Sequence, residues 1–384
     1  MNPPYPPLHA LQQSYLKEVS TPARPGQPPA LDAWPLGTAL PLDWVVLDHP
    51  AGANLWARLA LLLRLAATPL RVEPHAPYNP HRAYPSPRAL YAVHLVLETP
   101  QGRWLLDAHR AALRPLAGAT SAPSADNPVY LHLLGHLPTI PDSYGTLRPT
   151  LAALEAGHLL GALRHLGAGL GLSLREHSAL AAPNLGADWQ PLVTLQVDRT
   201  TPDPQQAAAA WRDVQARSSA PGAFGLTTDG RPAPATPFQA ALKDPGTVLL
   251  AQRLDGLAPG VYRAGSSAPL PIPPAELATA LHGAYSYPDD LNVYGLNAAV
   301  LLTARYGPDV DFLHTQLTLG ERAQRLCLAL AHAGLFARPV RAYREAPLDR
   351  LLNLPPDQTV AYALLCGRAP VHDLSLPLLR RTAA

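Results

Sequence analysis

Two stretches of the chain are apolar on almost every side. One runs from Leu154 to Leu172 and the other from Thr318 to Phe336. Both patterns predict long helices that close at a glycine, Gly171 and Gly334, because glycine takes the left-handed cap conformation at little cost. A shift of 163 positions lays Gly157 on Gly320 and Gly171-Leu172 on Gly334-Leu335. A Tyr-Gly pair precedes each helix, Tyr144-Gly145 and Tyr306-Gly307. Runs rich in branched residues pair up in the same order: Val93 to Glu98 with Val248 to Gln252, Gly102 to Asp107 with Gly260 to Gly265, and Val193 to Val197 with Val360 to Cys366. Such runs read as strands. Each half therefore predicts helix, three strands, central helix and strand, a long internal repeat. Helices mixed with non-alternating strands favour an α+β fold. A helix that is apolar all round must be covered on several sides. The two central helices are therefore expected to pack on each other, making the chain an intramolecular pseudo-dimer. The expected units are a proline-rich arm over 1–40, a first half over 41–199, a Pro- and Ala-rich linker over 200–210 and a second half over 211–384.

Composition excludes several classes. The 384 residues are 47% hydrophobic and 15% charged, which is a globular balance. Thirty basic and 28 acidic residues leave a net charge of +2, without the cationic footprint of a nucleic-acid binder. No apolar run approaches the roughly 20 residues of a membrane span, and Met1 to Leu11 carries prolines where a secretory leader has a basic and then an apolar region. Two cysteines, Cys327 and Cys366, do not make a disulfide framework or a zinc site and read as buried small hydrophobes. The expectation is a reduced, cytoplasmic protein without membrane or nucleic-acid partners.

Candidate chemistry is sparse. His132 and His136 lie four apart, but in a predicted strand, where they are expected to point apart. His158 and His165 lie seven apart on the first central helix and read as ordinary helix histidines. No His and carboxylate cluster has metal spacing, and no nucleophile has a placed base. Gly167 to Gly171 closes a helix, whereas a phosphate loop opens one. Tyr285 and Tyr287 read as loop aromatics, and no catalytic residue is assigned.

One segment is more specific. Arg82-Ala-Tyr-Pro-Ser-Pro-Arg-Ala-Leu-Tyr91 resembles the Pro-Ser-(Ala/Gly)-Gly-Ala-Leu-Tyr loop of the nitroreductase superfamily, most closely its SagB-type dehydrogenase branch, which includes azoline oxidases. Leu254 to Arg263, Glu155-Ala-Gly-His158 and Ala363 to Arg368 fit the same branch, and the resemblance covers most of 40–200 and 210–370. It implies two nitroreductase-like halves holding FMN between them, and an oxidoreductase. In the family one protomer supplies an Arg-Ser element and a late Gly-Arg, and the other supplies the Pro-Ser loop. The matching positions are Arg217 and Ser218, Gly367 and Arg368, and Pro85 and Ser86, with Arg88 beside the loop. They imply one composite flavin site. The reciprocal site is spoiled by Leu47-Asp48-His49-Pro50 and by Pro237-Phe238-Gln239-Ala240. The implied substrate is a small molecule or a modified peptide, and pairing of chains into a homodimer stays open. The alternative is a degenerate scaffold without flavin that serves as a binding partner in a biosynthetic complex.

Overall fold

A computed structural model describes residues 27, 29, 40–42, 54–73, 80–116, 119, 128–220, 228–266, 268–286, 292–369 and 376–378. The chain pairs Leu40–Pro41 (β1) at a sheet edge, then forms helix α1 (Leu55–Ala67), whose first turn is capped by the Asn54 side chain. After β2 (Arg71–Val72) come β3 (Val93–Thr99), β4 (Gly102–Asp107), β5 (Ala112–Pro115) and β6 (Tyr130–His136). Helix α2 (Arg148–Gly169) leads to β7 (Leu172–Glu176) and β8 (Trp189–Arg199). Helix α3 (Pro204–Ala216) comes next. It is followed by β9 (Ala233–Pro234), α4 (Thr236–Ala241), β10 (Thr247–Ala251), β11 (Leu254–Asp255), β12 (Gly260–Arg263), α5 (Pro274–Ala284) and β13 (Ala298–Arg305). Last come α6 (Phe312–His332), β14 (Phe336–Val340), α7 (Glu345–Leu351), β15 (Gln358–Gly367) and β16 (Leu376–Pro377).

The expected strands and both central helices are present. Each central helix is followed by two strands rather than one, because β7 and β14 start directly after the helix ends. The first sheet has the order β1-β5-β4-β3-β6-β8-β7 and the second β12-β10-β13-β15-β14. Without β1 and β5, the two orders coincide element for element. The stretch read as a linker is largely helical: Asp203 caps the Gln205 and Gln206 amides, Pro204 needs no donor at the first helical position, and α3 follows.

Helices α2 and α6 cross at the two glycines that the repeat aligns. A Cβ on Gly157 would lie 2.8 Å from the Gly320 Cα and hard against the Leu317 carbonyl oxygen. A Cβ on Gly320 would lie 3.0 Å from the Gly157 Cα and hard against the Leu154 carbonyl. Leu154 and Leu317 are likewise 163 positions apart. The contact is thus self-complementary, as at a two-fold axis. Arg164 of α2 pairs with Glu321 of α6 at 2.7 Å beside the crossing. Helix α3 packs against both, and its Asp213 accepts from His165 at 3.1 Å and from His332 at 2.9 Å. The cores interlock: Leu317 and Leu328 of α6 belong to the core of the first half, and Leu154 of α2 belongs to that of the second. The chain returns to the first half at its end, where β16 pairs with β2.

Candidate functional site

The junction between the halves holds a buried polar cluster built from β2, the loop over 80–92, the end of α3 and the two central helices. Arg217 follows α3 directly and is 2% exposed. Its Nη1 donates to Ser219 Oγ at 3.2 Å, and its Nη2 reaches the Arg82 carbonyl of the other half at 3.3 Å. Arg71 on β2 answers from the first half: its Nη2 donates to the Arg217 carbonyl at 2.7 Å, and its Nε pairs with Glu73 at 2.8 Å. Arg82 lies over the Tyr91 ring at 4.2 Å and donates to Tyr84 Oη at 3.3 Å. Burial, with Arg71 close by, lowers the Arg217 pKa. Among the described residues, Arg71 Nη1, Arg82 Nε and Arg217 Nε are buried nitrogens without a hydrogen-bond partner.

Glu155 of α2 anchors the loop. Its carboxylate accepts from Ser86 Oγ at 2.6 Å and from the Val93 amide at 2.9 Å, and Ser86 Oγ in turn accepts from the Tyr91 amide at 2.8 Å. Burial raises the Glu155 pKa, and the Ser86 and Val93 donors oppose that rise. Held this way, Arg88, Ala89 and Tyr91 take φ of 49°, 53° and 51°. The left-handed region costs a residue with a Cβ roughly 1–2 kcal/mol. Arg88 occupies the position where the resembling loops carry glycine. Arg88→Gly is therefore expected to stabilise the chain by about 1 kcal/mol in urea unfolding; an equal loss would show that the Arg88 guanidinium, 5.8 Å from the Tyr144 ring, matters more than its backbone.

A second chain of hydrogen bonds crosses the junction. Gln324 Nε2 of α6 donates to the Ala83 carbonyl at 3.0 Å, which leaves its Oε1 to accept from His158 Nδ1 at 3.1 Å. His158 Nε2 must then accept from Tyr362 Oη, 3.0 Å away. Burial pushes His158 down to about 3, so it is neutral. His94, also at about 3, and His81, at about 4, are lowered first of all by burial. An unfolded chain protonates these groups near 6.5 while the folded chain does not. Their stabilising share is whole above pH 6.5 and is lost as pH falls toward 4, by up to about 1.4 kcal/mol per pH unit for each group. Urea midpoints measured from pH 7 to pH 5 should fall steeply, and His158→Gln should flatten the profile by one group's share. A flat wild-type profile would mean these histidines are solvated.

The remaining residues singled out in the sequence fall elsewhere. The Ser218 carbonyl accepts from the Ala337 amide of β14 at 3.0 Å, and Ser218 Oγ accepts from the Ala220 amide at 3.2 Å. Pro85 and Ser86 sit in the loop over Glu155. Gly367 is packed so that a Cβ would lie 2.5 Å from the Thr228 methyl. The Arg368 amide donates to Asn297 Oδ1 at 2.9 Å, and its guanidinium lies by the Pro232 carbonyl at 3.4 Å and Asp229 at 3.9 Å. Among the described residues Arg217 and Arg368 share no partner. Phe238 is fully buried in α4. Asp48 and its neighbours, Tyr287 and the arm before Leu40 lie outside the described residues, except Gln27 and Pro29. His132 pairs with Glu98 at 3.0 Å and His136 with Thr139 at 2.8 Å, on either side of a bulge between Leu133 and Leu134. Both cysteines are buried, and burial raises the Cys327 thiol to about 12. Among the described residues no group of three His, Cys, Asp or Glu could hold a metal, and no helix is long and apolar enough to cross a membrane.

Arg71, Arg82, Gln324 and Tyr362 were not legible as site residues. For Arg82 a signal existed, since it stands three residues before Pro85-Ser86. For the other three, what matters is the contact across the junction.

Among solved structures the chain is similar to a putative nitroreductase from Anabaena variabilis, with a TM-score of 0.70 over 94% of this chain and 99% of that one, at 14% identity. The fold is that of a nitroreductase. Partial neighbours of this nitroreductase fold include a nitroreductase family protein from Clostridium difficile, at 11% identity over 42% of this chain and 86% of that one, with a TM-score of 0.29. Another is the microcin synthetase McbBCD complex of E. coli with truncated pro-MccB17 bound, at 16% identity over 39% of this chain and 60% of that one, with a TM-score of 0.27. No family model matches the chain, and neither does any curated protein.

Proposed function

We propose that the chain is an FMN-dependent oxidoreductase of the SagB-type, nitroreductase-like kind. In this reading it is a tandem pseudo-dimer with one composite flavin site at the junction. The observation that carries it is Arg217: a guanidinium from the second half, buried, reaching the Arg82 carbonyl at the head of the Pro85–Arg88 loop of the first, with Nε unpartnered among the described residues. Coincident sheet orders and the self-complementary Gly157–Gly320 crossing support the two-half architecture. The residues present fit a phosphate ester, because arginine offers planar, permanently charged donors to its oxygens. Arg217 and Ser218 would hold that end, and Pro85, Ser86 and Arg88 would lie toward the ring, while Gly367 and Arg368 would act from the end of β15. FMN, when bound, supplies the hydride chemistry; this chain's part is to bind, orient and exclude water. A small molecule or a modified peptide is the substrate class.

The test is the visible spectrum of the purified protein before and after FMN is added. The expected result is a flavin band near one equivalent per chain. Arg217→Ala should weaken FMN binding by roughly 10–100-fold, the loss of a charge-assisted hydrogen bond of about 1.5–3 kcal/mol. A colourless protein that takes up no FMN would replace this reading with that of a scaffold lacking flavin.

A further inference from the structure

The outer face of the second sheet carries two helices side by side. Leu277 and Leu281 of α5 and Leu348 of α7 share a core with Val248 and Leu301, strand positions that point away from α6. The Arg344 amide, just before α7, donates to the Ala284 carbonyl at the end of α5 at 2.9 Å, so the two helices run antiparallel. Their outward sides enclose an open groove of about 710 Å³. Ala280, Pro347 and Leu351 are its half-buried apolar lining, with Glu276 and Thr279 on the α5 wall and Arg350 on the α7 wall. Glu276 lies in the first turn of α5 and Arg350 in the last turn of α7, so the two charges stand at the same end of the groove on opposite walls. Both are exposed, and among the described residues neither side chain has an ion-pair or hydrogen-bond partner. Tyr294, 48% exposed, stands beside the α5 wall, its hydroxyl 3.2 Å from that of Thr279. The first half has no counterpart of α7: the stretch over 177–188, between β7 and β8, holds no helix.

We propose that this groove is the interface of a homodimer, closed by the same groove of a second copy of the chain. Two walls that carry opposite unpaired charges at one level are self-complementary under a two-fold axis laid along the groove. That rotation sets α5 of each copy against α7 of the other. Glu276 then meets the partner's Arg350, and Arg350 meets the partner's Glu276. Directions along the axis are kept, so α5 runs antiparallel to the partner's α7 as it does to its own. Ala280, Pro347 and Leu351 come to lie in the space between four helices, and Tyr294 at its margin. A partner of other sequence would have to bring an acid and a base at this spacing, whereas a second copy brings them by symmetry. The apolar lining is small, which makes the interface a weak one whose register the charges set. The proposal goes beyond the flavin reading and does not depend on it, since the groove lies across the second sheet from α6.

The experiment is sedimentation equilibrium of the full chain from roughly 1 μM to 1 mM, the span of weak interfaces. Wild type should pass from monomer to dimer within it. Glu276→Arg and Arg350→Glu should each weaken the dimer by roughly tenfold or more, because each sets like charges together at both pairs. An equimolar mixture of the two variants should dimerise about as tightly as wild type, since each chain then offers the other the opposite charge at both pairs. The double variant, Glu276→Arg with Arg350→Glu, should do so by itself. Both side chains are exposed, and every variant should keep the urea midpoint of wild type. If a single variant does not fold, the double variant decides. A wild type that stays monomeric throughout the span would overturn the proposal and leave the groove to a chain of other sequence. A dimer that both single variants keep would overturn it by placing the interface on another face. Weakening that neither the mixture nor the double variant repairs would overturn the exchange of Glu276 and Arg350 between copies.

Discussion

Gly157→Ala is expected to cost the chain about 2–3 kcal/mol of stability, measured as a lower urea midpoint at unchanged slope. The added methyl would meet the Leu317 carbonyl, the Gly320 Cα at 2.8 Å and the Glu321 nitrogen at 2.9 Å. All three are backbone atoms of α6, and no rotamer change moves them aside. Helices α2 and α6 must separate, and contacts along their interface loosen together. Alanine returns about 1 kcal/mol through its helix propensity, which the clash outweighs. Gly320→Ala should behave alike, because its methyl would meet Leu154 and Gly157 in the same way. The double variant should cost clearly less than the sum, since helices already parted by one methyl have room for the other. Additive losses would mean that the two glycines do not face each other.

Glu155→Ala carries the second large effect, also about 3 kcal/mol. It strips the acceptor from the Ser86 hydroxyl and the Val93 amide inside the protein, at about 1–3 kcal/mol for each donor left unpaired. Glu155→Gln should cost clearly less than Glu155→Ala, for a reason of sign. Burial raises the pKa of Glu155 in the folded chain. The folded state therefore holds a proton more readily than the unfolded one, and stability from this group is present at low pH and lost as pH rises through the folded pKa. Burial penalises the ionised carboxylate, and an amide carries no charge while its Oε1 still accepts from one of the two donors. An equal loss in both variants would show that the charge itself is required.

The sequence read well where the pattern was periodic or local. The 163-residue shift found the glycines of the helix crossing, because a close helix approach demands the same small residue on both sides. The main strands were legible from their branched residues. The stretch over 200–210, read as the linker from its prolines and alanines, is largely helical. The signal for a helix was present in Asp203-Pro204, a capping side chain followed by a residue suited to the first turn. The cluster was less legible. Nothing around Arg71 distinguishes a buried arginine from a solvated one, since its burial comes from α3 and the loop over 80–92. Gln324 likewise sits on a helix whose local pattern says nothing of the Ala83 carbonyl it reaches from 241 residues away.

The interlocked cores have a consequence for how the protein is made. Leu317 and Leu328 complete the core of the first half, and the ribosome adds them more than 150 residues after the partners they cover on α2 (Arg148–Gly169). At roughly 5–20 residues per second, translation leaves that surface waiting on the order of ten seconds or more. During this interval the nascent first half displays an apolar helix flank with nothing to cover it, which is a surface that holdase chaperones bind and that neighbouring nascent chains on a polysome can join. Slowed elongation between codons 200 and 312 should therefore lower the soluble yield more than the same slowing placed after codon 332.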